Sequence, residues 1–177
     1  LYGSVTWNLL HPEVKRVCTS WRIALRRIWH LPPNSHCDIV SALGSERTLF
    51  DELCRRSLKF VMFCLSSRNS NSTVNFIVRN SIFFCRASSA LGRNFLHISH
   101  RYSFSPSLIS NPNKLNTIMP YVTNFCKIQF KRVCTPSFML LVETLMLRNN
   151  LVSFDPSFVS LSVEEIDDII VSICTQL

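Results

Sequence analysis

A chain of 177 residues that is 47% hydrophobic and only 17% charged carries enough apolar surface to bury a core, which excludes wholesale disorder. Three glycines against 13 phenylalanines disfavour a turn-rich β protein and leave no glycine-rich loop to cradle phosphates, so nucleotide hydrolysis is not expected. The net charge of +8 is unevenly laid out: residues 1–60 hold nine Lys/Arg and five Asp/Glu, residues 61–135 nine and none, residues 136–177 one and six.

From Val14 onward, Val14, Val17, Cys18, Trp21, Ala24, Leu25 and Ile28 recur at three- and four-residue spacing, the signature of one helical face, with Lys15, Arg22 and Arg26 opposite. Pro12 suits a first turn and Pro32-Pro33 a stop, which predicts a helix from Pro12 to Leu31. Trp21 and Trp29 read as core anchors, with base stacking as the alternative. A short helix is expected over Asp38–Leu43, capped by Ser35 and stopped by Gly44. Over Arg47–Leu65 the stripe Phe50, Leu53, Cys54, Leu58, Val61 and Leu65 faces inward, with Arg55, Arg56 and Lys59 pointing away. After a polar break at Ser66–Ser72, Ser72–Ala87 reads as helical on Val74, Ile77, Val78, Ile82 and Cys85, although Phe76, Ile77, Phe83 and Phe84 also allow a strand, and a shorter helix follows over Ser88–His97.

The Ser, Asn and Pro density between Tyr102 and Lys114 predicts a linker and the main boundary. The organisation expected is thus a basic helical domain over 1–101, an irregular basic segment over 102–135, and a small helical tail over 136–177 with an acidic end. In that tail Ser137–Arg148 is helical, Asn149-Asn150 a break, and Ser162–Cys174 a last helix. Ser162 with Glu165 has the form of a capping box, each side chain satisfying the other residue's backbone N–H.

Chemistry-bearing residues are few. Asp167-Asp168 resembles a polymerase metal pair only in composition, because neighbours inside a helix point about 100° apart and cannot share ions. His97 and His100 lack the close partner pairs of a zinc site, and His36-Cys37 lacks an orienting third group. No metal, cofactor or catalytic set is expected, and the chain is not expected to be an enzyme. Eight scattered cysteines without a Cys-x-x-Cys pair read as reduced thiols of an intracellular protein, cytoplasmic or nuclear, and the longest apolar run is far too short for a membrane span. An opening Leu in mid-pattern suggests a piece of a longer chain.

The positive signal is cationic. A carboxylate-free stretch suits a polyanion, and each phosphate contact releases a counterion. Lys15, Arg22, Arg26, Arg27, Arg55, Arg56 and Lys59 are the residues expected to make such contacts.

At these residues the chain resembles a known family. Leu1-Tyr2-Gly3-Ser4 with Trp7, then Ser20 to Trp29, Leu31-Pro32-Pro33 and His36, is similar to the segment that follows the catalytic palm in non-LTR (LINE-type, jockey-like) retrotransposon reverse transcriptases. Glu164-Glu165-Ile166-Asp167-Asp168-Ile169-Ile170 before Ile173-Cys174-Thr175 resembles the C-terminus of such polyproteins, while the middle matches loosely. The resemblance implies an all-α, thumb-like region that holds template–product RNA, DNA or hybrid without sequence preference, beside a polymerase palm lying elsewhere. The polymerase aspartate hairpin and the Cys-rich knuckle of some relatives are absent here, so polymerase activity does not carry over. Neither a membrane nor a small-molecule substrate is expected as partner. The alternatives are a helical protein-interaction module whose acidic tail masks the basic body, and a mobile-element relic without function.

Overall fold

The computed structural model describes residues 3–44, 47–66, 73–84, 88–110, 112–133, 135–148 and 163–176. Among them the chain is all-α, with eight α-helices and no strand. The helices are α1 (Pro12–Ile28), α2 (Cys37–Gly44), α3 (Leu49–Leu65), α4 (Thr73–Phe83), α5 (Ala90–Arg101), α6 (Ile118–Val133), α7 (Pro136–Arg148) and α8 (Val163–Gln176). Ser162, Asn149-Asn150, Ser67–Ser72, Cys85 and Cys134 lie outside the described residues, so the expected capping box and both polar breaks are not addressed by the structure.

Helix ends explain much of the path. α1 closes with Leu31 N–H donating to the Arg26 carbonyl (2.9 Å) and His30 N–H to that of Arg27 (3.3 Å), while His30 takes φ 51°. α5 closes identically: Phe104 N–H donates to the Ser99 carbonyl (3.1 Å) and Ser103 N–H to that of His100 (3.3 Å), with Ser103 at φ 56°. Both are Schellman ends, in which a left-handed residue turns the chain back and the next side chain folds onto the helix. Leu31 and Phe104, the residues so folded, are buried. A chain with three glycines therefore puts His and Ser where glycine usually sits.

α5 begins at Ser89, whose hydroxyl accepts the Gly92 N–H at 2.8 Å. α2 is capped otherwise than expected: His36 Nδ1 accepts the Asp38 N–H at 3.4 Å. Ser35, the expected cap, is buried and donates its hydroxyl to the Pro32 carbonyl at 2.8 Å.

The chain divides into two compact units, Leu1–Cys18 with Leu49–Lys127, and Thr19–Thr48 with Ile128–Leu177, the divisions falling inside α1 and α6. The first is built on α3, whose Leu53, Cys54, Leu58, Val61 and Leu65 are all buried as the stripe predicts. Val14 and Cys18 from α1, Val78 and Ile82 from α4, Phe95 and Ile98 from α5, and Ile118, Val122 and Cys126 from α6 complete that core. The second packs α7 on α8, with Phe138, Leu141, Leu145, Ile170 and Cys174 buried alongside Leu25, Leu31, Ile39 and Val40.

The segment expected to be irregular is not. Tyr102, Phe104 and Ile109 enter the first core, 3-10 turns fill Pro106–Ser110 and Pro112–Thr117, and α6 follows. Its Pro120 lies in the first helical turn, where no N–H is required of it. Burial of these apolar side chains, each about 1.5–3 kcal/mol, outweighs the local preference of Ser, Asn and Pro for open chain.

Candidate nucleic-acid interface

The seven cations singled out by sequence fall in both units: Lys15, Arg55, Arg56 and Lys59 in the first, Arg22, Arg26 and Arg27 in the second. Lys15, Arg27 and Lys59 are exposed, and no carboxylate among the described residues pairs with them. Arg22 is half-buried and donates from Nη2 to Thr19 Oγ1 at 3.2 Å. Arg26 is more tightly held. Its Nη2 donates to the Ser35 carbonyl at 2.7 Å and lies 3.8 Å from Cys37 Sγ, while its buried Nε has no acceptor.

Arg55 and Arg56 depart from the expectation that they offer free charge to a phosphate. Arg55 grips Glu52 with Nε and Nη2 at 2.7 and 2.6 Å, and Arg56 Nε donates to the same carboxylate at 2.9 Å. The hydrogen bond from Arg55 holds the Glu52 carboxyl down to about 2, against the opposing pull of burial. The spacing was legible, since a carboxylate three and four residues before two arginines on a helix meets both.

Sequence reasoning missed α6. Tyr121, Asn124, Lys127, Ile128, Lys131 and Arg132 are all exposed there, while Ile118, Val122 and Cys126 are buried on the other side. Tyr121, Asn124 and Lys127 belong to the first unit, and Ile128, Lys131 and Arg132 to the second. All six lie in the stretch of sequence that contains no carboxylate, which was the available signal.

α1 brings a second surprise. Val14, Cys18 and Leu25 are buried, but Trp21 is 48% exposed and Ile28 65%, so one flank of the predicted apolar stripe is open. Trp21 is therefore not a core anchor. Trp29 is half-buried against the second core.

The most perturbed groups lie in the first core and serve packing. Asp51 Oδ1 accepts from Arg101 Nε and Nη2, both at 2.9 Å, and from the Tyr102 hydroxyl at 2.8 Å. The Arg101 guanidinium lies 5.3, 5.8 and 5.4 Å from the ring centres of Phe50, Tyr102 and Phe125. Burial pushes the Tyr102 hydroxyl well above its ordinary range and the Cys54 thiol up to about 12, so Cys54 is an inert thiol. His97 stands edge-on to Phe50 at 5.7 Å, and burial, with Arg101 and His100 nearby, lowers its pKa.

Asp167-Asp168 lie within α8, and His36 Nδ1 is 3.6 Å from the Asp38 carboxylate. Among the described residues no three His, Cys, Asp or Glu side chains group as metal ligands, and no helix is long and apolar enough to cross a membrane. No protein-family model, curated protein or solved structure matches this chain.

Proposed function

We propose that the chain binds RNA, DNA or their hybrid through backbone phosphates without reading sequence, in the manner of the thumb and C-terminal portion of a non-LTR reverse transcriptase, and performs no catalysis itself. The observation that carries this is the exposure of three α6 cations, Lys127 in the first unit and Lys131 and Arg132 in the second, in a stretch of sequence without any carboxylate. Lys15, Arg27 and Lys59 supply further exposed charge, whereas Glu52 offsets one of the two charges of Arg55 and Arg56. Exposed Tyr121 and Trp21 offer rings on which bases stack at about 1–3 kcal/mol each.

A hybrid titrated at several salt concentrations tests this. Three or four phosphate contacts weaken binding by roughly a hundredfold between about 50 and 200 mM salt. Lys131→Gln lowers the logarithmic salt slope by about one, and Arg55→Gln leaves it nearly unchanged. A flat slope rejects the reading. It would favour the second one, a protein-interaction module, for which the exposed Val74, Phe76 and Ile77 of α4 speak.

A further inference from the structure

The last two turns of α1 present Ile23, Arg26 and Arg27 on one helical face, and His30 follows the helix end at φ 51°. The Schellman turn then brings Leu31 and Pro33 back alongside, and the six residues line a cleft of about 540 Å³. That volume lies within the range of about 300–1,000 Å³ typical of small-ligand clefts.

Its lining is divided in kind. Arg26, Arg27 and His30 supply nitrogen donors, Ile23, Leu31 and Pro33 supply apolar wall, and among the described residues no carboxylate lines it. The guanidinium of Arg26 is fixed by its bond to the Ser35 carbonyl, so little side-chain freedom is lost when it engages an anion. Its buried Nε still lacks an acceptor, so the fold does not fully compensate this charge. The C-terminal end of a helix opposes an anion with about half a negative charge, and two whole guanidinium charges outweigh it. The planar guanidinium fork of exposed Arg27 matches phosphate oxygens in pairs, and Arg26, with Nη2 held by Ser35 and Nε buried, adds its charge beside it.

We infer that this cleft seats a phosphomonoester carried on a nucleoside, namely the 5′-phosphate end of a nucleic-acid strand. The phosphate lies against Arg26, Arg27 and His30, and the sugar and base lie on Ile23, Leu31 and Pro33. The inference rests on the nucleic-acid reading above and adds to it a site that distinguishes a strand's end from its interior. Arg27 is exposed, so Arg27→Gln removes a donor without opening the core.

The test compares one single-stranded oligonucleotide with a 5′-phosphate or a 5′-hydroxyl, and adenosine 5′-monophosphate with adenosine, by calorimetry at fixed salt. The 5′-phosphate is expected to tighten strand binding about tenfold, the gain of one good charge-assisted pair. Arg27→Gln, with an unaltered circular dichroism melt, should bring the ratio close to one. Equal affinity of the phosphorylated and hydroxyl strands overturns the inference, as does a preference that survives Arg27→Gln. A hydroxyl-ended hybrid bound with a steep salt slope but no phosphate preference sinks the cleft and leaves the general reading standing. Monophosphate bound above adenosine, with hybrid and phosphorylated strand both ignored, overturns the strand-end assignment and the nucleic-acid reading together, leaving a free-nucleotide site.

Discussion

The first unit buries Asp51, Asn75 and Asn94 among its leucines, and each reaches far along the chain. Asn94 Oδ1 accepts the Leu9 N–H at 2.8 Å and its Nδ2 donates to the Trp7 carbonyl at 2.6 Å, while Asn75 Nδ2 donates to the Cys64 carbonyl at 2.8 Å. In the second unit the buried hydroxyl of Thr144 donates to the Leu140 carbonyl four residues back, and that of Ser35 donates to the Pro32 carbonyl and has as its distant partner only the Cys174 thiol, a weak one. Directional bonds between distant segments admit one register of packing, whereas apolar faces with locally satisfied hydroxyls tolerate repacking. Two all-helical bodies on one chain thus reach definition by different routes.

The contrast can be broken most sharply at Asp51. Asp51→Ala strands the Arg101 guanidinium and the Tyr102 hydroxyl beside an apolar core and is expected to cost about 4 kcal/mol in urea unfolding. Leu141→Ala, in the apolar cluster of the second unit, should cost about 3 kcal/mol through lost burial and a residual cavity. If Asp51→Ala costs less than 1 kcal/mol, the polar clamp is not what holds the first unit.

Acid sharpens the same comparison. Glu52 is depressed from 4.5 to about 2 in the folded chain. A depressed carboxyl contributes stability that is complete above its unfolded pKa and is lost as pH falls through the folded value, so the loss spans about pH 4.5 to 2. The Glu52 cluster is partly exposed and is worth about 1 kcal/mol. Glu52→Gln should flatten that portion of the urea midpoint against pH, and an unchanged curve would mean that Arg55 and Arg56 do not hold the carboxylate in solution. The smallest effect is expected at Ser103. Ser103→Gly relieves the left-handed strain and should stabilise by about 0.5 kcal/mol, read as a small rise in thermal midpoint.

Most helices were legible because their apolar spacing is regular, as over α3. α6 was not, because Pro120 and the Asn- and Ser-rich approach mimic a linker and no acidic first turn announces it. The open flank of α1 was hidden for another reason. Periodicity marks a greasy side but not how much of its width a neighbour covers, so Trp21 and Ile28 were placed inside. Of the candidate interface, the Glu52 pairing could have been read from spacing, while the Asp51–Arg101 contact, 50 residues apart, leaves no local trace. Schellman ends carried by His30 and Ser103 escape any search for glycine.

The slot around Arg101 has a spectroscopic consequence. Protons on its side chain lie over three aromatic rings, whose circulating electrons shift their resonances upfield, and the Nε–H bonded to Asp51 is shielded from exchange with water. A sharp Nε–H signal that persists at neutral pH would report an intact first core from a single atom. Its broadening on warming would mark the earliest loosening between α3 and α5.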